Sequence, residues 1–297
     1  MSSIFIQVPS YHDYELKRTI VDAINKSSGE NFLNFGVHLC YYEKMDIDLS
    51  GLSNVKYEVS KAPDNLGVGV SRYIANSFYN GEDYYFQIDS HSRFEINWDV
   101  NLIKNYERNK SYGANPVLSA YPGAYEYKDG LLNILNNKSH VAYTEFVKEL
   151  SFINDLVPHQ RAVGNFDNNV FTKSVSAASI FSEGSIANIQ PNSKIFFWGE
   201  EILTAIRLYT HGYDLMLPDS QNIYHLYYDH SQGAKNLRRQ VIQDFPEEYA
   251  RLDKASKKEL SDIILNNRIG PDGFGSKRSL LEYEQYAKID FMNKAIL

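Results

Sequence analysis

An aspartate and a histidine one residue apart, Asp89 and His91, close the apolar run Tyr84-Tyr85-Phe86-Gln87-Ile88, which reads as a buried strand. At the carboxyl end of a strand in an α/β sheet, side chains face the crevice where ligands bind. Successive strand residues alternate faces, so an extended chain sets Asp89 and His91 on the same side. A carboxylate oxygen and an imidazole nitrogen held together suit Mn²⁺, Mg²⁺ or Zn²⁺, and two protein ligands leave positions that a diphosphate can fill. The same pair also suits a plain structural role, a turn acid beside a surface histidine.

Four further stretches carry chemistry. Arg72 follows a turn with Gly67 and Gly69 by a helical turn or less; glycines let a backbone approach a phosphate, and a helix N-terminus favours an anion. Gly-x-Gly also marks ordinary turns. Phe196-Phe197-Trp198-Gly199-Glu200-Glu201 ends an aromatic run in paired acids at a helix start. Such acids complement the helix dipole in any protein, and an aromatic wall beside carboxylates is also how sugar rings are held. Ile223-Tyr224-His225-Leu226-Tyr227 carries one histidine inside a strand-like run, a pattern shared with core histidines. Gly273-Phe274-Gly275-Ser276-Lys277-Arg278 joins a glycine-flexed loop to two cations, which suits a phosphate-closing lid or a solvated connection.

The elements that must position these residues alternate. Strands are expected over residues 4–8, 35–42, 55–59 and 84–88. A helix with Leu16, Ile20, Val21 and Ile24 on one face follows a break at Pro9, and a second helix spans residues 70–79. Strand, helix, strand in this rhythm predicts a mostly parallel sheet covered by helices. Beyond Trp98 the pattern predicts a helix at 100–109, strands at 117–121 and 177–181, a helix at 200–210 and a charged helical stretch at 231–265. Ser279 to Glu282 reads as a capping box opening a last helix. Residues 129–169 give mixed signals.

A chain of 297 residues can bury a substantial core, as one large domain or two fused ones. No apolar run approaches a membrane span, and the first strand begins almost at the initiator Met; together these lead us to expect a cytoplasmic protein. The single cysteine, Cys40, lies in an apolar run and is expected in the core. A net charge of −7 disfavours a surface that is basic throughout, though not a local basic groove.

Taken together, "GEDYYFQIDSHSRF", "FFWGEE", "RLYTHGYDLMLP", "IYHLY", "GSKRSLLEYE" and the opening "IQVPSYHDYEL" resemble the glycosyltransferases that attach N-acetylglucosamine to polypeptide hydroxyls on hydroxyproline or threonine. In outline they are also similar to the mucin-type polypeptide N-acetylgalactosaminyltransferases. The resemblance keeps its order from Ile4 to Glu284. It implies a GT-A fold, a Rossmann-like nucleotide-sugar-binding α/β architecture with a mixed, mostly parallel central sheet flanked by helices. The implied layout is a glycosyltransferase domain over 1–230, with a nucleotide-sugar half to about 98 and an acceptor half beyond it. A helical extension over 231–297 would carry the lid.

The resemblance further implies that Asp89, His91 and His225 hold Mn²⁺ or Mg²⁺ against the diphosphate of a UDP-sugar, with Ser90 beside them. Pro9, Ser10 and Tyr11 would meet the uridine, Arg72 the uracil side or the diphosphate, and Asp64 or Asn65 the uracil. Ser276, Lys277 and Arg278 would close over the phosphates. Such enzymes are retaining: the acceptor hydroxyl attacks on the face the nucleotide leaves. Glu200, Glu201 and Trp198 would then bind and orient the sugar or acceptor; double displacement with one glutamate as nucleophile is the alternative. A hydroxyl-bearing protein is the expected acceptor. Hydroxymethylated bases in phage DNA, with a hexose or pentose donor, are the alternative, with Lys235, Arg238, Arg239, Lys254, Lys257 and Lys258 as a phosphate-contacting strip. A non-catalytic nucleotide-sugar-binding module is the third reading.

Overall fold

The computed structural model describes residues 1–43, 47–135, 141–148, 152, 156–164, 170–189, 191–227 and 237–297, the side chains of 237–240 excepted. The chain opens with strand β1 (Ser3–Tyr11), helix α1 (Leu16–Lys26), strands β2 (Phe32–Tyr41) and β3 (Val55–Lys61), helix α2 (Val68–Asn76) and strand β4 (Tyr84–Ile88). Strand β5 (Ser92–Phe94) and helix α3 (Trp98–Ser111) follow, then β6 (Pro116–Ser119), β7 (Gly123–Lys128), β8 (Leu131–Ile134), β9 (Ala142–Phe146), β10 (Gln160–Gly164) and β11 (Ser179–Glu183). Helix α4 (Glu200–Thr210), strands β12 (Asp214–Met216) and β13 (Ile223–His225), and helices α5 (Leu237–Asp244), α6 (Pro246–Leu265) and α7 (Leu280–Ala287) complete the main elements. The short strands β14 (Ile289–Asp290) and β15 (Ala295–Ile296) pair with each other at the end.

Seven strands form the central sheet in the order β12-β6-β11-β4-β1-β2-β3. The four-strand half β4-β1-β2-β3 is parallel, whereas β11 runs antiparallel to both β4 and β6. Every residue of β4 is buried, since neighbours flank it on both edges and helices cover both faces, and its sequence is accordingly apolar throughout. Under the sheet, Phe86, Phe94, Trp98 and Phe181 pack together; Phe86 and Trp98 have ring centroids 5.4 Å apart, and the Trp98 indole N–H donates to the Ala23 carbonyl at 3.0 Å.

Two elements differ from the sequence-based expectation, and the stretch of mixed signals takes a definite form in its described residues. Strand β1 does not break at Pro9 but runs to Tyr11. Its pairing with β4 ends at Gln7, so the missing N–H of Pro9 falls where that neighbour has already left the ladder. The charged stretch near the C-terminus is two helices, interrupted at Phe245, because the residue before Pro246 is pushed out of the helical region. Residues 129–169 supply β8, β9 and β10, which form antiparallel pairs beside the main sheet.

Strand β13 pairs antiparallel with β5, placing His225 directly opposite Ser92. This small sheet, in the order β5-β13-β7-β8, carries the histidine of the later run to the end of β4.

Candidate active site

The parallel strands all deliver their carboxyl ends to one rim, and a cleft of about 1620 Å³ opens there. Its wall draws on the turn after β1, the start of α2, the Asp89-Ser90-His91 turn, the start of α4 and the end of β13. Topology thus gathers side chains from Pro9 to Tyr249 and sets His225 beside Asp89, 136 residues away in sequence.

Asp89 sits at the centre. Its Oδ1 accepts from Arg72 Nη2 at 2.8 Å, and its Oδ2 lies 3.2 Å from His225 Nε2. Burial works against its charge, but the hydrogen bond from His225 and the neighbouring Arg72 and histidines outweigh it and hold the carboxyl far below the usual range. Arg72, only 1% exposed, also reaches Glu200 Oε1 from Nε at 2.5 Å and donates to the carbonyls of Ile88 and Ala177. One guanidinium therefore fixes both the end of β4 and the first turn of α4.

The two glutamates of that turn differ. Burial raises Glu200, and Arg72 offsets it in part. Glu201 accepts from the Ala177 N–H at 2.9 Å, and burial, with the charges of Glu200 and Asp89 beside it, pushes its carboxyl up to about 7. Gly199, at φ 94°, turns the chain into α4 in a left-handed conformation that favours glycine.

His91 is oriented from behind. Its Nδ1 lies 2.6 Å from Asp13 Oδ2, which also accepts from Ser90 Oγ at 2.5 Å. Burial disfavours charge on the imidazole, yet the Asp13 carboxylate prevails and raises it. A carboxylate on one ring nitrogen fixes the tautomer and leaves the other nitrogen free to ligate, the arrangement usual at protein metal sites. Asp89, His91 and His225 each offer a ligand atom, and those atoms lie within 4.8 Å of one another. One carboxylate oxygen and two imidazole nitrogens, with the cleft open beside them, suit a divalent metal ion. A second polar layer stands behind Asp13: Glu15 pairs with Arg93, and the Tyr127 hydroxyl donates to Glu15 Oε2 at 2.8 Å.

A family model described as a GlcNAc glycosyltransferase matches residues 40–293. The chain belongs to that family. No curated protein matches it in sequence. Among solved structures, it is similar to GalNAc-T7 with UDP, GalNAc and Mn²⁺, at 12% identity over 97% of this chain and 55% of that one, with a TM-score of 0.53. It is also similar to S. aureus TarS, at 13% identity over 99% of this chain and 43% of that one, with a TM-score of 0.51. The chain spans about half the length of these structures. At such identities the likeness is one of fold, and the fold is GT-A.

In this member of the family, Pro9, Ser10, Tyr11, Arg72, Asp89, Ser90, His91, Trp198, Glu200, Glu201 and His225 all line the cleft. Ser10 Oγ and Tyr11 OH are buried there without a hydrogen-bond partner among the described residues. Asp64 is not brought to the cleft; it lies exposed in the turn before α2. Ser276, Lys277 and Arg278 do not line it either. The Lys277 N–H donates to the Thr210 carbonyl at 3.0 Å, at the far end of α4, roughly 16 Å of helix from the glutamates. Arg278 is engaged there too, donating to Asp214 Oδ1 at 2.7 Å with its guanidinium 4.7 Å over the Tyr209 ring. In this structure the loop ties α4 to the start of α7.

Sequence reasoning missed Asp13. An acid in the turn just past the first strand was the available signal, since that turn faces the same rim as Asp89. Lys235 lies outside the described residues, as do the side chains of Arg238 and Arg239. Of the remaining basic strip, Lys257 is paired with Asp253 at 2.5 Å. Among the described residues, no helix is long and apolar enough to cross a membrane.

Proposed function

We propose that this chain transfers a sugar, N-acetylglucosamine by family expectation, from a UDP-sugar to a protein hydroxyl with retention of configuration, using a divalent ion held by Asp89, His91 and His225. The observation that carries this reading is the convergence of those three side chains on the rim of a GT-A cleft, with Asp13 orienting His91. The GalNAc-T7 structure, which holds UDP, GalNAc and Mn²⁺, supports it by fold.

When bound, the ion neutralises the charge that develops on the leaving diphosphate. The chain's own residues do the rest. Ser10 Oγ and Tyr11 OH, unpartnered among the described residues, offer hydrogen-bonding atoms to the nucleoside. Arg72 holds Asp89 and Glu200 in fixed positions, so the sugar-side acids keep their geometry through the reaction. Trp198 supplies an apolar face for the sugar ring, and Glu200 and Glu201 orient its hydroxyls or the acceptor. The acceptor oxygen forms a bond to the anomeric carbon as the carbon–phosphate oxygen bond breaks on the same face, and the departing phosphate oxygen takes the acceptor's proton. That route needs no protein nucleophile, and an ion pair with Arg72 makes Glu200 a poor one.

The test is binding and slow hydrolysis of a panel of UDP-sugars, with and without Mn²⁺. We expect metal-dependent turnover of one sugar, which names the donor. Failure to bind any of them under either condition would sink the proposal.

A further inference from the structure

We infer that Ser71 reads the base of the donor nucleotide: a hydrogen-bond relay leaves its hydroxyl hydrogen to donate, selecting a base with a carbonyl at C4, such as uracil, over one with an amino group there, such as cytosine. The inference rests on the UDP-sugar reading of the cleft.

The relay begins outside the cleft and ends in it. Asn65 Nδ2 donates to Ser60 Oγ at 3.0 Å. Ser60 Oγ lies 3.0 Å from His38 Nε2, and His38 Nδ1 lies 2.7 Å from Ser71 Oγ. His38 is fully enclosed on β2, and burial lowers its imidazole to about 4, so it is neutral near pH 7 and has one donor nitrogen and one acceptor nitrogen. Proton placement then follows from Asn65. Ser60 Oγ already receives that amide, and among the described residues the acceptor in reach for its own buried hydrogen is His38 Nε2. The other histidine nitrogen therefore carries the proton and donates to Ser71 Oγ. Ser71 is left with its hydrogen to give, and Ser71 lines the cleft.

Position identifies what receives it. His38 and Ser60 stand on β2 and β3, and the strand order β4-β1-β2-β3 places β2 two strand spacings, about 10 Å, from the strand that leads to Asp89. With the diphosphate at Asp89, the far end of the nucleotide falls beside β2. There the lining includes Pro9, Tyr11, Leu66 and Gly67, a largely apolar surround suited to a base.

The experiment measures binding of UDP and CDP to the full chain with Mn²⁺, by calorimetry, for wild type, Ser71→Ala, Ser71→Thr and Asn65→Asp. Wild type should prefer UDP. Ser71→Ala should lose about three- to tenfold in UDP affinity with little change for CDP, and Ser71→Thr should keep the preference. Asn65→Asp is the sharper variant. Its side chain lies outside the cleft and accepts where the amide donated, so the relay reverses, Ser71 becomes an acceptor, and the UDP-to-CDP ratio should fall. The added charge acts on both diphosphates alike and cancels in that ratio. Equal losses for both nucleotides in Ser71→Ala, or an unchanged ratio in Asn65→Asp, overturn the inference while leaving the donor reading intact. Wild type that binds neither nucleotide overturns both.

Discussion

At the scale of single residues, the proposed metal site depends on a side chain that is not itself among its three candidate ligands. Asp13 fixes the ring of His91 from 2.6 Å away, so Asp13→Asn keeps the shape and removes the charge. Loss of such a partner usually weakens metal affinity by about 10- to 100-fold. A Mn²⁺ titration without donor should show that loss, and unchanged affinity would remove Asp13 from the site. Glu201 makes a different prediction. Its carboxyl, at about 7 against an ordinary 4.5, is protonated more readily in the folded chain. Its contribution to stability is therefore complete below about pH 4.5 and is lost as the pH rises through about 7. The shift sets a ceiling of about 3 kcal/mol, which partial solvent access reduces. In metal-free protein, the melting temperature of wild type relative to Glu201→Gln should fall between pH 5 and pH 8; parallel curves for the two proteins would contradict this.

At the scale of elements, the start of α2 shows how a correct motif can carry a different reason. The glycines before Arg72 read as a backbone opened for phosphate, yet their neighbours are protein. A Cβ on Gly69 would meet the Ile195 carbonyl oxygen at 2.2 Å and the Asn192 carbonyl oxygen at 2.6 Å, while the Gly69 N–H donates to Ile195 at 3.1 Å. Gly67, at φ 122°, would drive a Cβ into the Phe196 ring at 2.6 Å. The glycines let α2 dock on the segment that leads into α4, which is why Arg72 can span from one to the other. Gly69→Ala should force the two apart, costing about 1–3 kcal/mol and lowering Tm by roughly 3–10 °C. UDP affinity should fall with it, because Arg72 loses its reach to Glu200. A Tm within one degree of wild type would show that the backbone yields without strain. Periodicity and turn residues placed the helix near the right residues; a contact across more than a hundred residues of sequence leaves no local trace.

At the scale of the molecule, the legible parts were those written locally: apolar runs for the parallel strands, Asp-x-His at the end of one of them, and paired acids at a helix start. His225 stood out only through family resemblance, because its approach to Asp89 is made by β13 pairing with β5. The loop at Ser276, Lys277 and Arg278 poses the converse case. Cations beside glycines resemble a phosphate clamp until the length of α4 separates them from the cleft. Arg278→Ala decides between the two roles. As a tie between α4 and α7, Arg278 donates to Asp214 and to the Tyr213 carbonyl at 2.7 Å each and lies over the ring of Tyr209. Losing a charge-assisted hydrogen bond and a ring contact at a partly exposed position should cost on the order of 1–2 kcal/mol. Chemical denaturation should show that loss, while UDP binding measured well below the melting transition stays within about twofold of wild type. A tenfold loss of UDP affinity at unchanged stability would instead mean that the loop travels to the phosphates during the reaction, and α7 would have to release α4 to let it do so.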